Sequence, residues 1–301
     1  MKKLAPILLF TYNRLYETRE TVKALQKNYL ATESELFVFS DGAKDSIGEE
    51  KVNKVRDYLK TISGFKRVHI KEAKINQGLA KSVVNGVTEI IDQYNKVIVL
   101  EDDLITSPNF LDFMNQALDF YSGFPKVISI SGYTLDLPAL KNYPNDFYIG
   151  YRASSWGWGT WKDKWENIDW EVSDYVEFKD NRKERLEFGK IGSDMPRMLK
   201  NQMDGKIDSW AIRWCYHQFK HRLVTIFPAK SKIKNIGIGE EATHTTIGTR
   251  FETPLDVGDS RIFGFDKVLV GDDNVIKDFR SRFSVKMRVL DRLRKYLRLK
   301  I

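Results

Sequence analysis

The stretch "NKVIVLEDDL", residues 95–104, decides the fold. Val97, Ile98, Val99 and Leu100 form a short unbroken apolar run, the pattern of a strand buried on both faces. It ends in three adjacent carboxylates, Glu101, Asp102 and Asp103. Like charges side by side at the end of a core strand repel one another and lose hydration. Something must compensate them.

On the N-terminal side, "LAPILLFTY" (4–12) predicts a strand and 17–29 a helix. "LFVFSDG" (36–42) predicts a strand running into a turn, with a helix over 49–62. "RVHIKEA" (67–73) is a third strand, and "QGLAKSVVNGVTEIIDQY" (77–94) a helix with Leu79, Val83, Val87 and Ile91 on one face. After the acids, Ser107 as cap and Pro108 as first residue open another helix, and "KVISISGY" (126–133) is a further strand. Strands and helices alternating over short links imply a mostly parallel sheet covered on both faces. Such sheets bind ligands beyond the carboxyl ends of their strands. Three of those ends are polar here: "TYNR", "SDG" and "EDD".

The pattern changes near residue 134. "ASSWGWGTWKDKWENIDW" holds five of the seven tryptophans, a charged helical region follows to about residue 205, and "VTIFPA" predicts a late strand. No internal repeat or low-complexity segment occurs. The second half reads as an extension of the sheet and not as an independent domain.

Bulk properties narrow the classes. The chain has 301 residues, 42% hydrophobic and 30% charged, which describes a soluble globular protein. Cys215 is the sole cysteine, so no disulfide framework or thiolate metal cluster is expected, and a reducing interior fits. No apolar run reaches the roughly 18–20 residues of a membrane span. "MKKLAPILLF" imitates a signal peptide, but it runs into polar "TYNR" and reads as a first core strand. The net charge of +8 favours polyanionic partners. Yet "FRSRFSVKMRVLDRLRKYLRLKI" at the C-terminus carries nine Lys or Arg against one acid, Asp291, and the remainder is nearly neutral. Nucleic acid as a partner rests on pI alone, and none is expected.

Two readings of the acids stand. They cap a helix or form solvated ion pairs, or they gather a hard divalent cation, Mg²⁺ or Mn²⁺, whose shell substrate phosphates complete. The order and spacing of "LFTYNR", "FSDG", "NQGLAKS" and E-D-D resemble the nucleotide-sugar-binding half of a GT-A glycosyltransferase, in the pattern of N-acetylglucosaminyltransferase I and its bacterial relatives. "SWGWGTW", "DSWAIRW" and "NIGIGEEATH" extend the resemblance into the second half. It implies a Rossmann-like, mostly parallel sheet flanked by helices and extended by a smaller acceptor-side region. The implied divisions are a donor-binding half over 1–134, an acceptor-binding and catalytic half over 135–275, and a basic amphipathic tail over 276–301.

Carried over residue by residue, the resemblance makes Asp103 the metal ligand. Glu101 and Asp102 then face the donor sugar and the ribose. Asp41 meets the N–H of a uracil, Arg14 lies against the base, and Thr11, Tyr12 and Asn13 belong to the same nucleotide loop. Asn76, Gly78 and Lys81 lie where the family's third loop approaches the nucleotide. Plainer roles exist for several: Asp41-Gly42 as a turn pair, Arg14 at a helix start, and Gly78 at a helix entry. Asp208 in "KIDSWAIRW" stands where relatives carry a catalytic base in a D-D-W pattern. This chain has D-S-W, and Asp208 could equally be an N-cap. His244 in the Gly-rich loop is a candidate metal ligand, although Glu240 and Glu241 beside it do not suit a phosphate-covering loop. His217 and His221 sit four apart without an obvious third ligand and read as ordinary helix residues. Trp156, Trp158 and Trp161 could offer faces to acceptor sugars, Trp156 and Trp158 foremost, or could fill the core. Gly157 and Gly159 suggest an exposed loop there.

The implied function is an inverting, metal-dependent hexosyl- or N-acetylhexosaminyltransferase. It would use a UDP-sugar such as UDP-N-acetylglucosamine and a glycan or lipid-linked acceptor in bacterial surface polysaccharide or lipopolysaccharide synthesis. The alternatives are a sugar nucleotidyltransferase, whose Gly-rich loop "FTYNRLYET" lacks, or a non-catalytic nucleotide-sugar or polyanion binder. A cytoplasmic location is expected. Val289, Leu293 and Tyr296 share a helical face among Arg288, Arg292, Arg294, Lys295 and Arg298. That fits a helix lying on an anionic membrane, a basic surface helix or a frayed terminus.

Overall fold

The computed structural model describes residues 3–237 and 249–290. Its first half follows the expected alternation. β1 (Ile7–Thr11), α1 (Leu15–Gln26), β2 (Glu35–Ser40), α2 (Ser46–Leu59), β3 (Arg67–Glu72) and α3 (Leu79–Tyr94) lead to β4 (Lys96–Glu101). β1 lies between β2 and β4 and is parallel to both, and β3 adds in parallel outside β2. Every residue of β1 and the run 97–100 of β4 are buried, as central strands covered by helices on both faces require. Gly86 of α3 lets that helix close on the sheet, because a Cβ there would sit 2.8 Å from the Phe10 ring.

The chain continues through β5 (Leu104–Thr106), α4 (Phe110–Phe120), β6 (Val127–Ser131), β7 (Phe147–Gly150), β8 (Trp158–Trp161) and α5 (Lys162–Trp165). Then come α6 (Tyr175–Asp180), α7 (Arg182–Gly189), α8 (Met195–Met203), α9 (Trp210–Lys220), β9 (Val224–Pro228), β10 (Ile233–Asn235) and α10 (Asp273–Arg282). α4 starts later than expected. Residues 107–110 first close a turn, Phe110 N–H to Ser107 O, so Asn109 and not Ser107 is the N-cap, and Pro108 precedes the helix.

The eight-stranded sheet has the order β3-β2-β1-β4-β8-β6-β9-β7. It is parallel from β3 to β4, β8 runs antiparallel to both its neighbours, β6 and β9 are parallel, and β7 is antiparallel at the edge. Because β8 reverses the direction twice over, β6 and β9 point the same way as β1 to β4. Their carboxyl ends therefore share one edge with "TYNR", "SDG" and "EDD".

β8 corrects the expectation of an exposed Gly-Trp loop. A Cβ on Gly159 would lie 2.8 Å from Val97 O and 3.2 Å from Leu118 and Met114 side chains, so this glycine permits close packing in the sheet centre. Trp158 is 1% exposed. Its ring lies 5.8 Å from Trp165, 5.0 Å from Trp210 and 4.2 Å from Trp214. Trp210 and Trp214 are one turn apart on α9, so this aromatic box fixes the start of α9 against the sheet. The beginning of the expected tail is also docked: Phe283 is buried, and Phe279 packs on Phe227. Residues 291–301, including Arg292, Leu293, Arg294, Lys295, Tyr296 and Arg298, lie outside the described residues. Among the described residues no helix is long and apolar enough to cross a membrane.

Candidate functional site

β4 delivers Glu101 to the sheet edge, and a turn at 102–103 carries the chain into β5. Thr21, buried on α1, holds that turn: its hydroxyl donates to Asp102 O at 2.8 Å and accepts the Leu104 N–H at 3.0 Å. Ile236 N–H, just past β10, donates to Asp103 O at 2.9 Å. The Gly237 backbone lies so near Asp103 that a Cβ there would overlap the carboxylate.

Arg14, from the turn after β1, bonds the Asp102 carboxylate and pairs with Asp103 at 3.1 Å. One guanidinium facing three carboxylates leaves an excess of negative charge. Burial, followed by Asp103 and Asp102, pushes the Glu101 carboxyl up to about 8. Burial raises Asp102 to about 6 against the opposing pull of Arg14, and it raises Asp103 in the same sense. No hydrogen-bond donor among the described residues supports Glu101.

Beside this cluster, Asp41 at the end of β2 organises the loop before α3. Its Oδ1 accepts the N–H groups of Gly42 and Gln77, both at 2.8 Å. Its Oδ2 accepts Asn76 Nδ2 and the Gly78 N–H, both at 3.0 Å. Gly78 has φ +79°, a left-handed conformation in which glycine meets no steric cost. These four bonds use the lone-pair directions a carboxylate has, so in this arrangement Asp41 builds the loop and has no free direction for a base N–H. Arg56, from α2, was not singled out in the sequence. Its guanidinium donates to Ala73 O at 2.7 Å and to Asp41 O and Ser40 Oγ at 3.3 Å, joining the ends of β2 and β3. Only its place on the inner face of α2 could have signalled that role. Thr11 Oγ1, at the end of β1, is buried with no hydrogen-bond partner among the described residues.

Asp208 reaches the same edge from α9. A Cβ at Gly78 would lie 3.4 Å from Asp208 Oδ2, so the carboxylate stands against the loop that Asp41 holds. The N-cap of α9 is Ser209, whose hydroxyl accepts the Ile212 N–H. Asp208 is therefore not the cap. Its side chain is 62% exposed, and its ion pair with Arg213 is long, at 4.0 Å.

The other candidates separate. Tyr12 and Asn13 are half-buried beside Thr11, and Lys81 is exposed on the first turn of α3. Trp158 belongs to the aromatic box and offers no face to a ligand, which corrects its assignment to an acceptor. Trp161 is equally buried and donates its indole N–H to Leu118 O at 2.9 Å. Trp156 is half-buried against Tyr133 and Phe251, with ring centroids at 4.6 and 5.7 Å. His244, Glu240 and Glu241 lie outside the described residues. His217 and His221 lie with ring centroids 4.3 Å apart, tilted by 38°, and burial pushes His217 down to about 4.

No group of three His, Cys, Asp or Glu among the described residues is arranged to hold a metal ion by itself. The donor set still fits a hard cation that takes most of its shell from substrate. It offers carboxylate oxygens, surplus negative charge and a Glu101 carboxylate without a donor among the described residues.

No protein-family model and no curated protein sequence matches the chain. Several solved glycosyltransferases resemble it in part. The mannosyltransferase PcManGT from Pyrobaculum calidifontis, in complex with GDP-Man and Mn²⁺, is 11% identical with a TM-score of 0.37, over 53% of this chain and 45% of its own. TarS of S. aureus is 17% identical with a TM-score of 0.30, over 42% of this chain and 21% of its own. Mouse xyloside xylosyltransferase 1, in apo form, is 8% identical with a TM-score of 0.36, over 72% of this chain and 82% of its own. The chain spans less than half the length of the first two. Its fold class rests on its own strand order: a mixed α/β sheet flanked by helices, parallel through the half that ends in the acids.

Proposed function

We propose that the chain is an inverting, divalent-metal-dependent glycosyltransferase. It takes a hexosyl or N-acetylhexosaminyl group from a UDP-sugar, with UDP-N-acetylglucosamine the first candidate. The acceptor is a glycan or lipid-linked sugar in bacterial surface polysaccharide or lipopolysaccharide synthesis, in the cytoplasm or at the inner face of the membrane. The observation that carries this reading is the position of Asp208. Its carboxylate, relieved of capping by Ser209, stands exposed against Gly78 on the edge that carries Glu101, Asp102 and Asp103.

In this account Asp208 takes the proton of the acceptor hydroxyl as that oxygen attacks the anomeric carbon. Asp103 would hold Mn²⁺ or Mg²⁺, which would offset charge developing on the departing diphosphate. Asp102, fixed by Arg14, and Glu101 accept hydrogen bonds from ribose and donor-sugar hydroxyls. Thr11, Tyr12, Asn13 and Arg14 line the nucleotide, with the unpartnered Thr11 hydroxyl as a ready donor. Asp41 and Arg56 position the loop of Asn76, Gly78 and Lys81, and Trp156 is the aromatic left for the acceptor.

The test is UDP release from a panel of UDP-sugars, with and without Mn²⁺. The expected result is slow, metal-dependent turnover of one sugar or a few, with inverted anomeric configuration in the product. No turnover of any UDP-sugar, with turnover of another nucleotide-sugar assayed in parallel, would remove the UDP assignment. Retained configuration would remove Asp208 as the base.

A further inference from the structure

We infer that the face around the far end of α9 is a docking surface for an anionic lipid bilayer. It consists of the cleft between α7, α9 and α10 and of the helical residues 285–290. This inference stands independently of the transferase reading.

The cleft, of about 670 Å³, is lined by Lys183, Lys190, Lys220, Arg222 and Arg280. Its acids are paired: Glu187 with Lys190 and Glu184 with Lys220, both at 2.7 Å, and Lys220 also reaches Asp174 at 2.8 Å. Lys183, Arg222 and Arg280 make no ion pair with the described residues, so the cleft carries a positive surplus. Arg222 has φ 52° immediately after the C-cap of α9. Glycine or asparagine is usual at that place, and an arginine keeps its charge there at a steric cost.

Apolar groups adjoin these cations. Val285 and Val289, one turn apart, are 63% and 47% exposed, and Lys286 between them is exposed as well. Arg288, on the neighbouring side of this turn, ties it to the domain: it donates to Ser193 Oγ at 3.2 Å, and Ser193 Oγ donates to Phe283 O at 2.7 Å. Ser193 follows closely on Lys190 and Ile191, which line the cleft. The exposed valines thus follow directly on α10, whose Arg280 lines the cleft.

That combination selects the partner. Interfacial surfaces pair apolar insertion with attraction to anionic headgroups. A nucleic acid would use the cations and leave the valines without a role. The arrangement also keeps the acid cluster clear of a negative surface. α9 has 11 residues between the Asp208 end and the cleft. At 1.5 Å per residue this is about 16 Å, beyond a Debye length of about 8 Å at physiological ionic strength.

The experiment is co-sedimentation of the full chain with vesicles of phosphatidylcholine alone or mixed with phosphatidylglycerol. Binding is expected only to the mixed vesicles and should weaken with salt. Lys183→Glu, Arg222→Glu and Arg280→Glu combined should lower it by about tenfold or more, and Val285→Asp with Val289→Asp should remove the salt-resistant part. Arg222→Gly gives a separate check, since it relieves the backbone while deleting a charge. It should fold at least as stably and still bind less. Three results would overturn the inference: wild-type binding indifferent to phosphatidylglycerol, a triple charge reversal that sediments like wild type, or binding of RNA without binding of vesicles.

Discussion

Asp208→Asn is expected to lower kcat by roughly a hundredfold to ten-thousandfold, with little change in nucleotide-sugar affinity or folding stability. The expectation follows from how the helix start divides its labour. Ser209 supplies the capping oxygen, so the neighbouring carboxylate is free of that duty. Its side chain is mostly exposed, and its partner Arg213 stands at 4.0 Å, so little stability depends on it. Asn is isosteric and cannot take the proton. Ser209→Ala is the matching control, with a loss of about 1 kcal/mol of stability from the missing cap. Steady-state kinetics and a urea melt on both variants separate the cases. Were Asp208→Asn to lose stability and keep its turnover, Asp208 would be structural and the inverting mechanism would lose its base.

Asp41→Ala should damage both the fold and donor binding. The carboxylate satisfies the N–H groups of Gly42, Gln77 and Gly78 and the amide of Asn76. Removing it leaves those donors without an acceptor in a region where Asp41 itself is 9% exposed. Each buried donor left unmade costs about 1–3 kcal/mol. Water can reach part of this edge, so a total near 3 kcal/mol is expected. The loop against which Asp208 stands would lose its anchor, and affinity for the nucleotide-sugar should fall with it. Asp41→Asn should be milder, because its amide oxygen still accepts while its NH₂ opposes donors that remain. A urea melt and a nucleotide titration on both variants test the ordering. A wild-type midpoint for Asp41→Ala would contradict the anchoring role.

Much of this edge was legible because local pattern and tertiary position coincide there. β1, β2 and β4 are apolar runs that end in polar residues, and their order in the sheet follows from the alternation with α1, α2 and α3. The "EDD" run was visible as a group that needs compensation. What it meets was not visible: Arg14 is 88 residues away from Asp102 in sequence. Thr21 and Gly237 likewise approach only through packing. β8 was hidden for a related reason. "WGTW" has two tryptophans and a glycine that suit a loop by composition, and its strand state depends on how Gly159 admits the Val97 carbonyl. With β8 misread, Trp158 looked like a sugar platform when it anchors α9. In "DSW" both residues are competent caps, and the extended backbone at Ser209 decides between them.

The central claim is that Glu101, Asp102 and Asp103 are tolerated together because a metal–nucleotide complex completes them. The most direct measurement is a calorimetric titration of UDP into the protein with and without Mn²⁺, repeated on Asp103→Ala. The account predicts binding that requires Mn²⁺ and is lost in Asp103→Ala, while the variant folds at least as stably because a buried like charge has gone. UDP binding that ignores Mn²⁺, or that survives intact in Asp103→Ala, would contradict it.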